Sequence, residues 1–500
     1  MNNYLTFLVL LCSLNSFTIF GSIQPSSLST EKLNLKKVLK ENQLDNVSIR
    51  YALKNLDRPN EIYGNLQEEE FITASLTKIF TAVFSLKRLG ANYQFHTALY
   101  HTGKIVNDTL KGDLYLVGSG DPSLTMGRLM DLCMDLRLKG IKKLEGSFFY
   151  DETIRPTILQ LSSFGNGDQT YNPGLSALNL EYNRMTIYRD GAKKTKHANF
   201  VPLPPLVHTY IEKTKDKFSP GTRYRFKENK GGEVWEVSEH LKYNLYEDVP
   251  IRRPSRRTAE VFRNFSKLWG IYLPPARSGQ APREKSLISK DFGPPLLKLL
   301  ASTLEYSNNL FAEEILMKAS AKKTIPEAAQ VLTNWLNKRI PSCKTPLKNG
   351  SGLTSENRLS SKCFVDFLER FALSPIANRG FMSLLSIGGH NGWLKRRLRH
   401  PDTRFKVWAK TGSLDYVSNI AGVLFTASGN RFAFSLSFSD DQKRALIDKA
   451  SEIKKEKKKA LSYESKVLNQ AFLLKKDAKA WGQRAKNAID TLLKSFIQNL

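Results

Sequence analysis

Between Phe432 and Phe438 the chain alternates without a break, with Phe432, Phe434, Leu436 and Phe438 taking turns with Ala433, Ser435 and Ser437. A side-chain period of two commits such a segment to a strand with one face in a core. The turn Ser428-Gly429-Asn430 and the apolar run Ile420 to Phe425 before it make this half of a hairpin. A second hairpin is expected near the other end. There Val47, Ile49, Tyr51 and Leu53 share a face, and Asn55, Asp57, Pro59 and Asn60 turn the chain into Glu61-Ile62-Tyr63-Gly64. Helical spacing lies between, as at Asn309 to Lys318, where Phe311 and Ile315 share a face. The class expected is α/β of the α+β kind, an antiparallel sheet flanked by helices.

At 500 residues the chain is too long for one ordinary core. From about 105 to 255 short strand-like pieces such as GDLYLVGSGDPSL and RMTIYRD alternate with Gly, Pro and Lys-rich loops. This reads as a mainly β insertion, dividing a main domain into 23–104 and 256–440. Residues 441–500 form a lysine-rich helical tail with fifteen Lys/Arg against seven Asp/Glu. In it Ile489, Leu492, Leu493, Phe496, Ile497 and Leu500 keep helical spacing. A helix docked on the main domain with a solvated basic face is the plain reading. An anionic membrane surface or a protein partner for that tail are the sharper ones.

The formal charge of +29 calls for an anionic partner, and nucleic acid, lipid and wall polymer would all serve. The N-terminus narrows the choice. LTFLVLLCSLNSFTIFGS followed by QPSSLSTEK resembles a signal-peptide core cleaved near Gly21 or Ser22, so 1–22 is expected to be a signal and the product exported. Met1-Asn2-Asn3-Tyr4 lacks the usual basic flank, which leaves an uncleaved anchor as the alternative. Cys133, Cys343 and Cys363 are too few for a disulfide framework and are not spaced for zinc. One Cys343–Cys363 bridge and buried free thiols both stay open.

Three short motifs carry the chemistry. In FITASLTKIFTAVFSLKRLG, Ser75 and Lys78 open an apolar-periodic run with Ile79, Val83 and Leu86 on its core face. Thr73 is expected to cap that helix and Gly90 to end it. A serine in a first helical turn lies where free N–H groups favour an oxyanion, and a lysine one turn on reaches its hydroxyl. The same spacing at Ser29/Lys32, Ser320/Lys323 and Ser451/Lys454 lacks that setting. Downstream come Ser307-Asn308-Asn309 before a helix and Lys410-Thr411-Gly412 at the end of a strand-like alternation. Each triplet alone is an ordinary cap or strand end; all three in this order point to one acyl-transfer site.

The chain thus resembles the penicillin-recognising serine acyl-transferases. Within them it is similar to the class C low-molecular-mass penicillin-binding proteins, D-alanyl-D-alanine carboxypeptidases/endopeptidases. Spacing discriminates: Ser307 follows Ser75 by 232 residues (307 − 75), whereas in β-lactamases the second motif comes soon after the first. GDLYLVGSGDPSL from Gly112, ALNLEYN from Ala177, NGSGLTSENRLS from Asn349 and SIGGHNGWLKRRL from Ser386 add to the likeness, which runs from about Val47 to Phe438.

The resemblance implies a transpeptidase-like fold and a role for each residue. Ser75 would be the nucleophile, Lys78 its base with a lowered pKa, and Ser307 the proton relay to the leaving amine. Asn309 would hold the substrate amide, and Lys410 and Thr411 its terminal carboxylate. Gly412 would let the peptide lie along an edge strand, while the N–H groups of Ser75 and Ser413 would form the oxyanion hole. Peptidoglycan stem peptides and covalent β-lactams are the implied partners, in the periplasm or cell envelope. No cofactor, no metal and no nucleic acid are expected. Two departures stand out: Asn308 where relatives often carry Asp, and Asn349 where they usually show Asp before Gly-Ser-Gly. A β-lactamase-like hydrolase and a non-enzymatic basic wall-binding scaffold are the rival readings, and the charge suits anionic peptidoglycan.

Overall fold

The computed structural model describes residues 35–164, 168–189, 200–203, 209–215, 224–229, 232–238, 246–376, 378–455 and 462–500. The apolar leader and its expected cleavage point lie outside them. Both expected hairpins form, and they are neighbours in one six-stranded sheet. Its order is Ile62–Asn65, Ser48–Asn55, Arg431–Ser439, Val417–Phe425, Val407–Leu414 and Ser386–Ile387, antiparallel throughout. Leu53 stands opposite Phe434, and Gly422 faces the same residue from the other side.

The alternation in the central strand sorts bulk between the two faces. Phe432, Phe434, Leu436 and Phe438 are buried against the tail helix Ser462–Asn499. The small residue Ala433 of that strand, with Ala421 and Val423 beside it, joins the other core, under Phe80 of helix Thr77–Leu89 and Phe364 of helix Ser361–Phe371. Small side chains there let the helices lie close to the sheet. Cys343 and Cys363 pair in a disulfide inside this core, with Cα atoms 4.8 Å apart, while Cys133 is a buried free thiol.

A second unit has its own sheet, ordered Arg277–Ser278, Phe148–Asp151, Leu114–Gly118, Gln94–His101 and Ser286–Pro295. Its core runs from Leu99 to Ile288, so it reaches past the expected limits at 104 and 255. The reason is pairing: Gln94–His101 lies between Leu114–Gly118 and Ser286–Pro295, binding chain from both sides of the insertion. Helices Met126–Leu138 and Pro254–Leu268 pack on it through Leu129, Leu132 and Phe262. The first of these helices interrupts a stretch read as mainly β.

The two units are joined at helix Asn309–Ser320. Its Glu314, fully buried, is paired with Arg155 and accepts a hydrogen bond from Asn179 Nδ2 at 2.9 Å. The tail docks as the plain reading expected. Trp481, Ile489, Leu492, Leu493, Phe496 and Ile497 are buried against the sheet, so that apolar stripe is not free for a membrane surface. Among the described residues no helix is long and apolar enough to cross a membrane.

Candidate active site

Ser75 sits in a 3-10 turn, Ala74–Leu76, immediately ahead of helix Thr77–Leu89, not in the helix proper. The expected cap is absent because Thr73 is itself helical, at φ −68° and ψ −26°, where a capping side chain cannot reach back. Its hydroxyl instead bonds the Thr77 hydroxyl at 2.8 Å and donates to Asn357 O. Gly90 ends the helix at φ +82° as expected. Ala74 takes φ +46°, and Gly352 is packed so tightly on its carbonyl that a Cβ there would sit 1.8 Å from the oxygen. The bend that presents Ser75 is therefore held by tertiary packing.

Lys78 is fully buried, and its Nζ donates to Ser75 Oγ at 2.9 Å, to Asn309 Oδ1 at 2.7 Å and to Ser351 O at 2.5 Å. Its pKa is held well below the ordinary lysine value, first by burial and then by the nearby Lys410 charge. Glu313, one turn beyond Asn309 and also buried, opposes that shift. The Glu313 carboxylate accepts the N–H groups of Gly350 at 3.1 Å and Ser351 at 2.7 Å, fixing the loop whose carbonyl meets Lys78. Sequence reading missed Glu313, although its i+4 place on the face of Asn309 was visible.

The downstream motifs converge here. Asn308 Oδ1 accepts from Phe311 N at 3.2 Å and caps the helix, work that Asn and Asp do equally well. Ser307 takes the left-handed conformation, φ +60°, and its Oγ accepts from Lys410 Nζ at 3.0 Å. Ser307 is thus joined to Lys410 and not to the Ser75–Lys78 pair. Asn309 has both ends of its amide engaged, since its Nδ2 donates to Tyr171 O at 2.9 Å.

Lys410, buried, also donates to Thr411 O at 2.7 Å, and burial lowers its pKa to about 7. A Cβ on Gly412 would meet Thr73 O at 2.9 Å and Ser75 N at 3.2 Å, so only glycine lets this strand pass the nucleophile turn. Asn419 on the next strand donates to Ile72 O at 2.7 Å and ties the two elements together. The strand is not an edge along its whole length: Ser386 and Ile387 pair with Ala409 and Trp408, leaving 410–414 as the open stretch. Thr411 is half-buried there and Ser413 exposed. Asn349 Oδ1 accepts from Gly352 N at 2.8 Å, which holds the Gly-Ser-Gly turn without a charge. The carboxylate whose charge acts on Lys78 is that of Glu313.

The arrangement sets a buried amine of lowered pKa against a serine hydroxyl, where in its unprotonated form it can take the hydroxyl proton, and can meet a carboxylate with a second lysine. Comparison with known proteins agrees. A family model described as D-Ala-D-Ala carboxypeptidase 3 (S13) matches residues 31–459. The chain is 27% identical over 421 residues to the D-alanyl-D-alanine carboxypeptidase DacB of Haemophilus influenzae, covering 77% of this chain and 84% of that protein. The crystal structure of penicillin binding protein 4 (dacB) from the same organism has the same fold, with a TM-score of 0.71 at 22% identity over 81% of this chain and 93% of that one. Its complex with a novel beta-lactam gives 0.68 at 23% identity, over the same shares of the two chains. This chain belongs to the D-Ala-D-Ala carboxypeptidase 3 (S13) family.

Proposed function

We propose that the protein is a serine DD-peptidase that hydrolyses D-Ala-D-Ala stem peptides and/or DD-crosslinks of peptidoglycan through an acyl-enzyme at Ser75. The observation that carries this is the contact of one buried amine, Lys78 Nζ, with Ser75 Oγ at 2.9 Å and Asn309 Oδ1 at 2.7 Å. Neutral Lys78 takes the hydroxyl proton as Ser75 Oγ attacks the carbonyl between the two D-alanines. The N–H groups of Ser75 and Ser413 hold the oxyanion. The C–N bond then breaks, and the proton that Lys78 took from Ser75 passes to the departing amine through the Ser307 hydroxyl, which turns from Lys410 toward Lys78 to relay it and leaves Lys78 unprotonated. Water attacks the ester with Lys78 again as base, releasing the acid and restoring the serine.

Lys410 and Thr411 receive the terminal carboxylate. Asn309 orients Lys78, and its Nδ2 exchanges the Tyr171 carbonyl for that of the substrate. The peptide lies beside 410–413, where Gly412 keeps the backbone close to Ser75. β-Lactams, which present an acyl group and a carboxylate in one ring system, acylate the same serine. The family and the apolar leader at residues 5–22 support action in the periplasm or cell envelope. The exposed lysines of the tail are left for an anionic membrane surface or a protein partner.

The test is digestion of purified sacculi with products identified by mass. Released D-alanine or separated crosslinks, absent with Ser75→Ala, support the reading; unchanged sacculi would refute it. Rapid turnover of penicillin without action on sacculi would favour a β-lactamase.

A further inference from the structure

The loop that precedes the Lys410 strand displays exposed aromatic and basic side chains together. Trp393 is 64% exposed and Phe405 49% exposed, while Leu394 and Leu398 of the same loop are buried. Phe405 takes φ +65°, a left-handed conformation that strains a bulky residue and survives only where surroundings enforce it. Those surroundings are visible: Phe405 N donates to Gly388 O at 3.0 Å, and Trp408 Nε1 donates to Phe405 O at 2.9 Å. The ring is left outside, with Arg404 stacked on it at 4.6 Å.

The Trp393 turn is fixed as firmly. Gly392 N donates to Glu305 Oε1 at 3.2 Å, two residues ahead of Ser307, and Arg397 pairs with Asp490 of the tail at 2.6 Å. Lys395, Arg396, Arg399 and Arg404 have no carboxylate partner among the described residues. The loop's one acid, Asp402, is engaged by His400 at 3.2 Å and lies 4.0 Å from Lys494.

We propose that this loop is a binding surface for the glycan strand that carries the stem peptide, an inference that rests on the peptidoglycan reading above. Trp393 and Phe405 stack on sugar rings, and Arg396, Arg399 and Arg404 pair with carboxylates of neighbouring stem peptides on that strand. Place and shape favour this over a lipid surface. The loop runs from the short strand Ser386–Ile387 back into the strand that carries Lys410, next to the open stretch 410–414 proposed for the stem peptide. Its larger aliphatic residues point inward, so it offers flat rings among charges and no apolar face to insert. Because the backbone is already held, binding costs little ordering.

The experiment uses the full chain carrying Ser75→Ala, co-sedimented with purified sacculi, against the same chain with Trp393→Ala, Arg396→Gln, Arg399→Gln and Arg404→Gln added. The dissociation constant is expected to rise about tenfold and its salt dependence to weaken. With Ser75 restored, D-alanine release from sacculi falls to the same degree. Acylation by a fluorescent penicillin stays within about twofold, as for surface changes away from the reaction. Unchanged sacculus binding overturns the proposal, as does a parallel loss of penicillin acylation, or a loss seen on anionic lipid vesicles and not on sacculi. If the native chain neither takes up penicillin nor releases D-alanine while the patch variants still lose sacculus binding, the enzymatic reading fails and the surface stands.

Discussion

Glu313 and Glu314 are neighbours on one helix and both are buried, yet they face two different regions. Glu313 turns to the reacting cluster, where it braces the Gly350–Ser351 loop and feels Lys78. Glu314 turns to the second unit, where Arg155 and Asn179 meet it. Burial raises both carboxyl pKa values, Glu314 to about 7 even with Arg155 opposing. The same desolvation thus tunes an amine on one side of the helix and welds two units on the other. A buried ion pair carries a large penalty when half of it is removed, whereas a buried amine near a serine converts that penalty into reactivity.

The contrast can be broken at either end. Ser75→Ala, the largest effect, should lower hydrolysis of a D-Ala-D-Ala peptide by about a thousandfold or more while leaving the melting temperature in place. Arg155→Met should do the reverse. It strands Glu314 and should destabilise the fold by about 3–5 kcal/mol in urea titration, with acylation per folded molecule kept.

Glu314 has a folded pKa above its ordinary 4.5, so its contribution to stability is fullest at low pH and is lost as pH rises through about 7. The Arg155→Met defect should therefore be worse at pH 8 than at pH 5. On the reacting side, burial holds Lys410 near 7, so kcat/KM for the free enzyme should fall above that pH as the lysine loses its charge. Lys410→Arg should move that alkaline limb up by more than two pH units, given the guanidinium's ordinary value.

Glu313→Gln should have a smaller effect. It removes the carboxylate that supports protonated Lys78, so the acid limb of the same profile should shift to lower pH, with kcat down about tenfold. Asn308→Ala, which only uncaps the helix bearing both glutamates, should cost about 1 kcal/mol in thermal unfolding.

The reacting side was the more legible of the two. Ser75 with Lys78, Ser307 with Asn309, and Lys410 could be picked out because each lies in a short motif of polar residues whose type and spacing can be read locally. Their convergence is what the fold supplies. Thr73 was misread because the turn at Ala74 is imposed by Gly352, nearly 280 residues away, and no local pattern encodes it. Asn309 could not be seen to hold Tyr171 O for the same reason. Helix Met126–Leu138 is different: Leu129, Leu132, Cys133 and Leu136 keep helical spacing behind the capping Thr125, a signal present in the sequence and overlooked. The welding side is nearly illegible. Arg155, Asn179 and Glu314 are common residues, and their meaning comes from two loops, distant in sequence, that meet one helix.

The most direct test of the account is peptide mass mapping after incubation with a β-lactam. A buried lysine of lowered pKa beside Ser75 predicts a single covalent adduct on the peptide containing Ser75, lost in Ser75→Ala and slowed in Lys78→Met. No adduct, or one carried by another residue with Ser75 unmodified, would contradict it.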